Sequence, residues 1–400
     1  MQLRIATLNV WGLGFGLARD LPQRLRAIGA DLAALDVDVA AFQEVWTSRG
    51  VASLAESGRA HGFTHSWQGD RDGSRGGLLV LSRLPIAAAR FELYRARGLP
   101  ERFWHGDYQA RKGFAELDLV TSQGTVALFV THLVSQYEPD ARDTYRGHRM
   151  AQVLQLAARV RRRREPVVAV GDFNLREDQP HHAALLGIAG LRDAAAELDR
   201  RELTIMAENP YRRESRPRDG VRIDYVFFRA GAEESLRAAG VQRVFDRPAQ
   251  PIEGALAYSD HAGLRAEFEL GPAPGQRADV RRDAPAPEPG TLGLARAEIA
   301  RGLEQAVARR DRRRLLAGLG LTAGLLTMLG AGRAPLTRRH LLRGLLRWGG
   351  GLAGATGVGA LALAALTSPA EVRSFEAALQ DLDALLDGRE PAFSAAESAP

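Results

Sequence analysis

Gly171-Asp172-Phe173-Asn174 and Ser259-Asp260-His261 are the two short strings that say most about the fold of this chain. The first follows an apolar, β-branched run and the second precedes one. Each string therefore places acidic, amide or imidazole groups at the end of a predicted strand. Polar groups at strand ends indicate a site built at the edge of a sheet.

The same pattern occurs beside three other apolar runs. The bordering residues are Asn9 after residues 3–8, Glu44 after residues 37–42 and His132 after residues 125–130. One such case carries little weight by itself. Five together favour one active site assembled from several strand ends.

The residue types at these positions suit the hydrolysis of a phosphoester. Its charged oxygens repel a nucleophile, and enzymes commonly answer with a hard cation and a group that deprotonates water. Glu44 offers a carboxylate and Asn9 a carbonyl oxygen, which suit Mg²⁺, and Asp260 is a third candidate ligand. We therefore expect Mg²⁺ as the cofactor, with Mn²⁺ as an alternative ion.

The remaining candidates fit catalytic roles. His261 is the predicted general base, because an imidazole titrates near neutral pH, and Asp224 is of the right type to fix its ring. Asp172 and Asn174 lie two residues apart on a predicted extended segment, so both would face the same side and position water and a phosphoryl oxygen. His132 would stabilise the charge on the phosphoryl group.

Each of these residues also has a simpler interpretation when taken alone. The Asp172–Asn174 string is typical of a turn with a side-chain to backbone hydrogen bond. Asn9 could cap the next segment, Asp224 could pair with Arg222, and His132 could be a core histidine with its hydrogen bonds satisfied. These alternatives stay open residue by residue, and only the joint occurrence favours a site.

Taken together, the motifs resemble the endonuclease/exonuclease/phosphatase superfamily, which includes deoxyribonuclease I, apurinic endonucleases, inositol polyphosphate 5-phosphatases and sphingomyelinases. The resemblance covers about residues 1–270 and implies an α/β fold, a two-sheet β-sandwich flanked by helices. The matching strings are Thr7-Leu8-Asn9-Val10-Trp11-Gly12, Phe42-Gln43-Glu44-Val45-Trp46, Leu81-Ser82-Arg83-Leu84-Pro85-Ile86, Thr131-His132-Leu133, Gly171-Asp172-Phe173-Asn174, Arg222-Ile223-Asp224-Tyr225 and Ser259-Asp260-His261.

Within that superfamily the chain looks most like eukaryotic neutral sphingomyelinases with two hydrophobic segments. Those proteins carry an Asp and a Lys five residues apart, as Asp107 and Lys112 are here, and the resemblance implies a pair that controls access to the site. Lys112 is the only lysine in the chain, so we also consider it a candidate phosphate contact. The residues between the pair depart from the family's usual string.

The resemblance implies a phospholipase C-type phosphodiesterase that cleaves sphingomyelin or a related choline phospholipid to ceramide and phosphocholine. Aromatic faces bind a quaternary ammonium, and Phe103, Trp104 and Tyr108 are candidates; packing in the core or contact with lipid is the alternative. A Mg²⁺-dependent nuclease or another phosphodiesterase of the superfamily is the alternative activity. A third hypothesis is a degenerate, non-enzymatic membrane adaptor.

Charge and composition narrow the partners. The chain has no cysteine, which excludes disulfides, thiolate metal sites and a thiol nucleophile. Its net charge of +6 is uneven: residues 301–347 hold eleven arginines against two acidic residues, whereas residues 348–400 are acidic. A nucleic-acid enzyme would be expected to carry its basic excess on the catalytic domain, so we expect no nucleic-acid partner.

The chain divides into five predicted parts. Predicted strands cover residues 3–10, 37–42, 77–82, 114–120, 125–131, 166–172, 221–228 and 262–269, and predicted helices cover 21–35 and 144–163. The parts are a catalytic domain at 1–270, a Pro/Gly-rich linker at 271–293, a basic amphipathic helix at 294–314, two hydrophobic membrane segments forming a helical hairpin within 315–367, and an acidic C-terminal tail at 368–400.

The two hydrophobic stretches, residues 315–332 and 348–367, have the length of membrane spans. We therefore expect membrane association through the C-terminal part, with anionic lipids at its basic segment. The start of the chain shows no signal-peptide pattern, which predicts a cytoplasmic catalytic domain. Arginines between the two stretches conflict with that orientation, and segments that are re-entrant or lie at the membrane interface would resolve the conflict. A soluble helical hairpin packed on a partner is the alternative to membrane attachment.

Overall fold

The computed structural model describes residues 1–14, 16–69, 76–211, 219–247, 256–272, 289–333, 340–387 and 389, and the side chains of these except at 330–333 and 340–343. Its strands are β1 (Gln2–Asn9), β2 (Val39–Gln43), β3 (His65–Gln68), β4 (Leu79–Ser82), β5 (Ile86–Leu93), β6 (Gly113–Thr121), β7 (Gly124–His132), β8 (Val167–Asp172), β9 (Arg192–Asp193), β10 (Asp224–Arg229), β11 (Glu234–Val244) and β12 (Gly263–Pro272). Its helices are α1 (Leu21–Asp31), α2 (Ser48–Ala60), α3 (Asp107–Ala110), α4 (Arg146–Arg161), α5 (Pro180–Ala189), α6 (Ala194–Glu197), α7 (Pro289–Arg333), α8 (His340–Leu366) and α9 (Ser368–Leu386).

The strands form two mixed sheets of six. The first has the order β11-β12-β1-β2-β4-β3 and the second the order β5-β6-β7-β8-β10-β9. In each sheet one central pair is parallel, β1 with β2 and β7 with β8, and the other pairs are antiparallel. The parallel pairs bring the C-terminal ends of two strands to one edge of each sheet.

The sheets pack face to face because alternate strand residues are apolar on both sides. Leu3 and Ile5 of β1 meet Val168 and Val170 of β8 in the layer between the sheets. The other face of β1 packs under α1 and α2, and the outer face of the second sheet packs under α4 and α5. This architecture confirms the predicted two-sheet sandwich with flanking helices, and all eight predicted strands are present with slightly shifted ends.

The strands and helices that the sequence did not predict lie mainly at the margins of the fold. β3, β5, β9 and β11 are the outermost strands, and their residues are largely exposed or half-buried, which weakens the alternating pattern. Helices α2 and α5 are also additions. In α5 the apolar residues lie all round the helix and give no stripe, whereas α2 has only two large apolar residues, Val51 and Leu54.

The C-terminal part docks on the sandwich through two helices. The first turns of α7 bury Leu292, Ala295 and Ile299 against the core that lies over the second sheet, and α9 adds Phe375 and Leu382 to the same core. Helix α7 begins at Pro289, inside the predicted linker 271–293, and continues without interruption through the predicted basic helix and the first hydrophobic stretch. Residues 273–288 of the linker lie outside the described residues.

Beyond the sandwich, α7 and α8 form an antiparallel pair with glycines at the contact. A Cβ added to Gly320 would lie 2.8 Å from the backbone of Gly357, and one added to Gly324 would lie 2.9 Å from Gly354. Close helix packing of this kind is typical of membrane helices. Leucines such as Leu325, which is 59% exposed, point away from the contact.

Within the described residues, one helical stretch, Gly344–Leu386, includes a window long and apolar enough to cross a membrane, and 17% of that window is buried. It includes the second predicted hydrophobic stretch. The first predicted stretch, residues 315–332, lies on α7, and its last side chains lie outside the described ones. Of the predicted acidic tail 368–400, residues 368–386 form α9; residues 388 and 390–400 are not described.

Candidate active site

Six of the predicted residues meet at one edge of the sandwich. Asn9 ends β1 and Glu44 follows β2 in the first sheet. In the second sheet the register pairs His132 of β7 with Asp172 of β8, and Asp172 with Asp224 of β10. His261 precedes β12 and completes the group.

Asp172 lies at the centre of this cluster. Its Oδ2 atom is 3.0 Å from Asn9 Nδ2, 3.4 Å from His132 Nε2 and 3.9 Å from His261 Nε2. The side chain is 1% exposed. The sequence predicted Asp172 as a residue that positions water; its central place also makes it a candidate metal ligand.

Asn9 joins the two sheets. Its amide nitrogen donates to Glu44 Oε1 and to Asp172 Oδ2, each at 3.0 Å, while its amide oxygen accepts from the backbone N–H of Trp11 at 2.9 Å. In this arrangement Asn9 orients the two carboxylates. Its predicted role as a metal ligand through the amide oxygen stays a prediction.

Two glycines allow the strand ends to approach so closely. Gly171 has φ 140°, and a Cβ there would lie 2.0 Å from the carbonyl oxygen of Thr131. A Cβ on Gly12 would lie 2.2 Å from the carbonyl oxygen of Glu44, to which the Gly12 N–H donates. Glu44 itself has the left-handed φ of 61°, which turns its side chain out of the strand direction.

His261 and Asp224 form a hydrogen-bonded pair inside the cluster. The Nδ1 atom of His261 lies 2.9 Å from Asp224 Oδ2, and both side chains are almost fully buried. Burial by itself lowers the pKa of the imidazole, but the carboxylates of Asp224, Asp260 and Asp172 outweigh burial and raise that pKa to about 10. A cation bound at Asp172 would offset part of this rise in the pKa.

Asp260 lies at the margin of the cluster. Its Oδ1 atom accepts from Ser259 Oγ at 3.3 Å, and Ser259 Oγ also donates to the carbonyl oxygen of Asn9 at 2.6 Å. Among the described residues, Asp260 is not a member of either group of side chains close enough to share an ion. Its predicted role as a metal ligand is untested.

Asn174 departs from the predicted extended geometry. β8 ends at Asp172, and Asn174 has φ 49°, with its backbone N–H donating to Asp172 Oδ1 at 2.9 Å. The two residues therefore form the turn with a side-chain to backbone bond that the sequence left as an alternative, and the argument from an extended pair was wrong. The Asn174 side chain donates to the carbonyl oxygen of Leu133 at 3.1 Å.

Asp107 and Lys112 form a buried ion pair, with Lys112 Nζ 2.6 Å from Asp107 Oδ1. The ammonium also donates to the carbonyl oxygen of Leu133 at 3.0 Å, the same atom that accepts from Asn174. The predicted pair is thus linked to the site through one carbonyl group. With its ammonium held in this way, Lys112 does not point freely at a substrate.

The cluster fits a divalent cation. The ligand atoms of Glu44, His132 and Asp172 lie within 4.8 Å of one another, and so do those of Asp172, Asp224 and His261. Glu44 and Asp172 direct carboxylate oxygens at the same Asn9 amide nitrogen. Carboxylates that converge in this way repel each other, and a hard cation with oxygen ligands relieves the repulsion.

Sequence reasoning missed a supporting residue, Arg24. It is fully buried on α1 and donates to the carbonyl oxygens of Val10, Trp11 and Tyr258, which fixes the loops that carry Asn9 and Asp260. Burial lowers the pKa of its guanidinium. An arginine on the apolar face of a predicted helix was the available signal.

The aromatic residues proposed to bind choline do not form a cage. Phe103 and Trp104 meet edge to face with ring centroids 5.2 Å apart and are 69% and 67% exposed. The guanidinium of Arg97 covers the ring of Tyr108 at 5.1 Å. A choline site built from these three residues is therefore not supported by their geometry.

Comparison with known proteins identifies the family. A model of the Endonuclease/Exonuclease/phosphatase family matches residues 6–261. The chain is similar to a putative neutral sphingomyelinase of Drosophila melanogaster, with 28% identity over 276 residues, 68% of this chain and 61% of that protein. It is 32% identical over 201 residues to the inositol phosphosphingolipids phospholipase C of Schizosaccharomyces pombe, which covers 48% of this chain and 46% of that protein.

A longer match is sphingomyelin phosphodiesterase 2 of Homo sapiens, with 30% identity over 374 residues, 88% of this chain and 86% of that protein. The chain therefore spans less than two thirds of the fly and yeast relatives and most of the human one. Among solved structures, D. rerio TDP2 complexed with a single-strand DNA product is similar with a TM-score of 0.53 and 20% identity, over 67% of this chain and 99% of that chain. This likeness concerns the fold alone.

Proposed function

Since the chain belongs to the endonuclease/exonuclease/phosphatase family, as the sequence motifs indicated, we propose that it is a Mg²⁺-dependent phosphodiesterase of the phospholipase C type. Its substrate is sphingomyelin or a closely related choline phospholipid, and its products are ceramide and phosphocholine. The fly relative, a putative neutral sphingomyelinase, and the human relative, a sphingomyelin phosphodiesterase, support this substrate class. The yeast relative leaves the headgroup open, because its name refers to inositol phosphosphingolipids.

The observation that carries the proposal is the convergence of Glu44, Asp172 and the His261–Asp224 pair at one edge of the sandwich. Carboxylates that can hold a hard cation lie next to an imidazole whose orientation is fixed. This combination suits attack of water on a phosphodiester.

Each residue of the site has a separate role in hydrolysis of the phosphodiester. Asp224 accepts from His261 Nδ1–H and leaves Nε2 as the atom that takes a proton from water. The water oxygen bonds to phosphorus and the bond from phosphorus to the ceramide oxygen breaks. That oxygen takes a proton from solvent, and His261 returns the proton from the attacking water to solvent. His132, which pairs with Asp172 in the strand register, and Asn174, which follows Asp172 by two residues, stabilise the charge that builds up on the phosphoryl oxygens.

Glu44 and Asp172 would hold the divalent ion, with Asn9 and Asp260 as further candidates, and Mn²⁺ would be a substitute for Mg²⁺. The ion would supply charge neutralisation on the phosphoryl group. Asp107 and Lys112 would regulate access from the far side of the Leu133 carbonyl group.

Membrane attachment is part of the proposal. The apolar stretch on α8 and the leucines of α7 would lie in the bilayer, with the catalytic domain on the cytoplasmic side. The arginines of α7 just before Leu315, among them the exposed Arg312 and Arg314, would face anionic headgroups. We expect no nucleic-acid partner.

The test is phosphocholine release by the purified full chain in detergent from a panel of choline phospholipids, with and without Mg²⁺. We expect release that requires the ion and is highest with sphingomyelin. A plasmid-nicking assay under the same conditions is the counter-test. Nicking without phosphocholine release would overturn the lipid substrate in favour of a nuclease.

A further inference from the structure

Two exposed aromatic residues on one short turn have no role in the site. Phe103 and Trp104 belong to the 3-10 turn Phe103–His105 and are 69% and 67% exposed. Among the described residues, the other aromatic ring with such exposure is Trp348 of α8, which belongs to the apolar hairpin. Adjacent exposed rings of this size are uncommon on a water-facing surface and mark a contact site.

The orientation of Phe103 and Trp104 is fixed by the packing of the adjacent His105 against the protein. The ring of His105 stacks on Tyr137 with centroids 3.8 Å apart and planes 6° apart, and its Nδ1 atom lies 2.9 Å from Tyr145 Oη. Trp104 packs edge-on against His105, and Phe103 packs edge-on against Trp104. The two rings therefore stay extended toward the outside instead of folding back onto the protein.

The turn lies beside the root of the α7–α8 hairpin. Arg313 of α7 forms an ion pair with Glu101, two residues before Phe103, and its second guanidinium nitrogen donates to Ser368 Oγ at 2.6 Å. Leu315 begins the apolar part of α7, and Ser368 begins α9 directly after the hairpin. Arg313 thus connects the two ends of the hairpin, and through Glu101 it holds them beside the segment that carries the aromatic pair.

The space between the turn and the hairpin has the character of a membrane interface. An open cavity of about 780 Å³ is lined by Arg102 on the side of the turn, and by Arg312, Leu316 and Leu363 on the side of the hairpin. Arginines next to leucines at the end of an apolar helix face headgroups and acyl chains respectively. A bilayer that covers the leucines of the hairpin would reach the level of the aromatic pair.

We propose that Phe103 and Trp104 form a second membrane contact, which inserts into the lipid interface beside the hairpin. This inference rests on the membrane attachment in the proposed function and adds a surface to it. The occupant is the interfacial layer of a phospholipid bilayer, because tryptophan and phenylalanine rings partition into that layer and the neighbouring arginines match its anionic headgroups. The same segment leads to Asp107 and Lys112, so the contact holds the active-site edge against the membrane that contains the substrate.

The absence of cysteine in the sequence permits a direct test. Single cysteines are introduced into the full chain by Trp104→Cys and, separately, Phe103→Cys, and each is labelled with a polarity-sensitive fluorophore. The control is Ser122→Cys on the exposed turn after β6, since β6 runs from Lys112 away to that turn. Leu352→Cys on the exposed side of α8 reports on the hairpin.

Emission is compared in detergent-free vesicles of phosphatidylcholine and phosphatidylserine and in a soluble amphipol, with quenching by spin-labelled lipid. We expect a blue shift and lipid quenching at positions 103, 104 and 352, and neither at 122. A response at 352 without one at 103 or 104 overturns the second contact while leaving the hairpin in the membrane. No response at any position overturns both the second membrane contact and the insertion of the hairpin. The phosphocholine assay reports separately on catalysis.

Discussion

The imidazole of His261 and the carboxylate of Asp224 lie 2.9 Å apart, Nδ1 to Oδ2, although the two residues approach the site from different sheets. Thr204 holds the aspartate from the backbone side, because its Oγ1 atom accepts from the N–H groups of Ile223 and Asp224. The orientation of the imidazole is therefore set by the fold.

Replacement of His261 should remove most of the activity. We expect His261→Ala to lower phosphocholine release by about 10²–10⁴-fold, because no other group in the cluster lies in the same place to accept the proton. Asp224→Asn should cost about 10–100-fold, since it changes the partner of Nδ1 without removing the base. Circular dichroism checks that the variants are folded. If the double variant His261→Ala/Asp224→Asn were much slower than His261→Ala alone, the two residues would not act as one unit.

Glu44 should control the affinity for Mg²⁺. We expect Glu44→Gln to weaken binding of Mg²⁺ by about tenfold or more, because it removes one of the two carboxylates that converge on Asn9. Calorimetric titration of the full chain with Mg²⁺ measures this without reference to activity. Glu56→Gln, on the exposed side of α2, is the matched control, and equal affinities in the two variants would exclude Glu44 as a ligand.

Gly171 should be intolerant of any side chain. A Cβ at this position meets the carbonyl oxygen of Thr131, and φ 140° is unfavourable for other residues. We expect Gly171→Ala to lower the free energy of unfolding in urea by about 1–3 kcal/mol or more, with loss of activity. Gly271→Ala, where an added Cβ has nothing within 4 Å, should change stability little.

The docking of α9 should weaken in acid. Glu371 of α9 accepts from Arg309 and lies 3.1 Å from His148 Nε2 on α4. Burial raises the pKa of its carboxyl group, but His148 and Arg309 outweigh burial and lower that pKa from 4.5 to about 2. The folded-state pKa is below the unfolded one, so this stabilisation is present above about pH 4.5 and is lost as the pH falls towards 2.

Pepsin cleavage within α9 measures the effect, with Glu371→Gln compared against the unaltered chain at each pH. We expect the variant to be cut faster at pH 4.5 and at the same rate near pH 2. If the ratio of the two cleavage rates, variant to unaltered chain, stayed constant between pH 4.5 and pH 2, the charge of Glu371 would not be what holds α9 in place.

Site residues could be predicted from the sequence where a metal-binding or titratable residue lies directly beside the apolar run of a strand. Glu44, His132 and Asp172 each border an apolar run, and the register of parallel strands brings such ends together. The backbone of Asn174 was not predictable in the same way, because a left-handed residue after a strand leaves no mark in the alternation. Arg24 was missed because its partners are backbone carbonyl groups far away in sequence.

The structure of the C-terminal part could be predicted from the sequence only in part, for a different reason. The basic and apolar stretches were visible as composition, but their union in one helix depends on packing that composition does not encode. The docking of α9 depends on contacts such as that of His148 with Phe375, whose ring centroids lie 5.0 Å apart although the residues are distant in sequence. Strands β5 and β11 were not predicted, because edge strands bury too few residues to give a clear alternation of apolar and polar residues.

Helix α7 passes from the sandwich into the apolar hairpin without a break between Arg314 and Leu315. At 1.5 Å per residue, such a rod of 45 residues is about 68 Å long, and it has no joint at which the catalytic body could swivel. In a bilayer the active-site opening would then keep a constant height and tilt above one leaflet. Turnover would follow the mole fraction of substrate within that leaflet, as in a two-dimensional search, and would respond little to dilution of the vesicles.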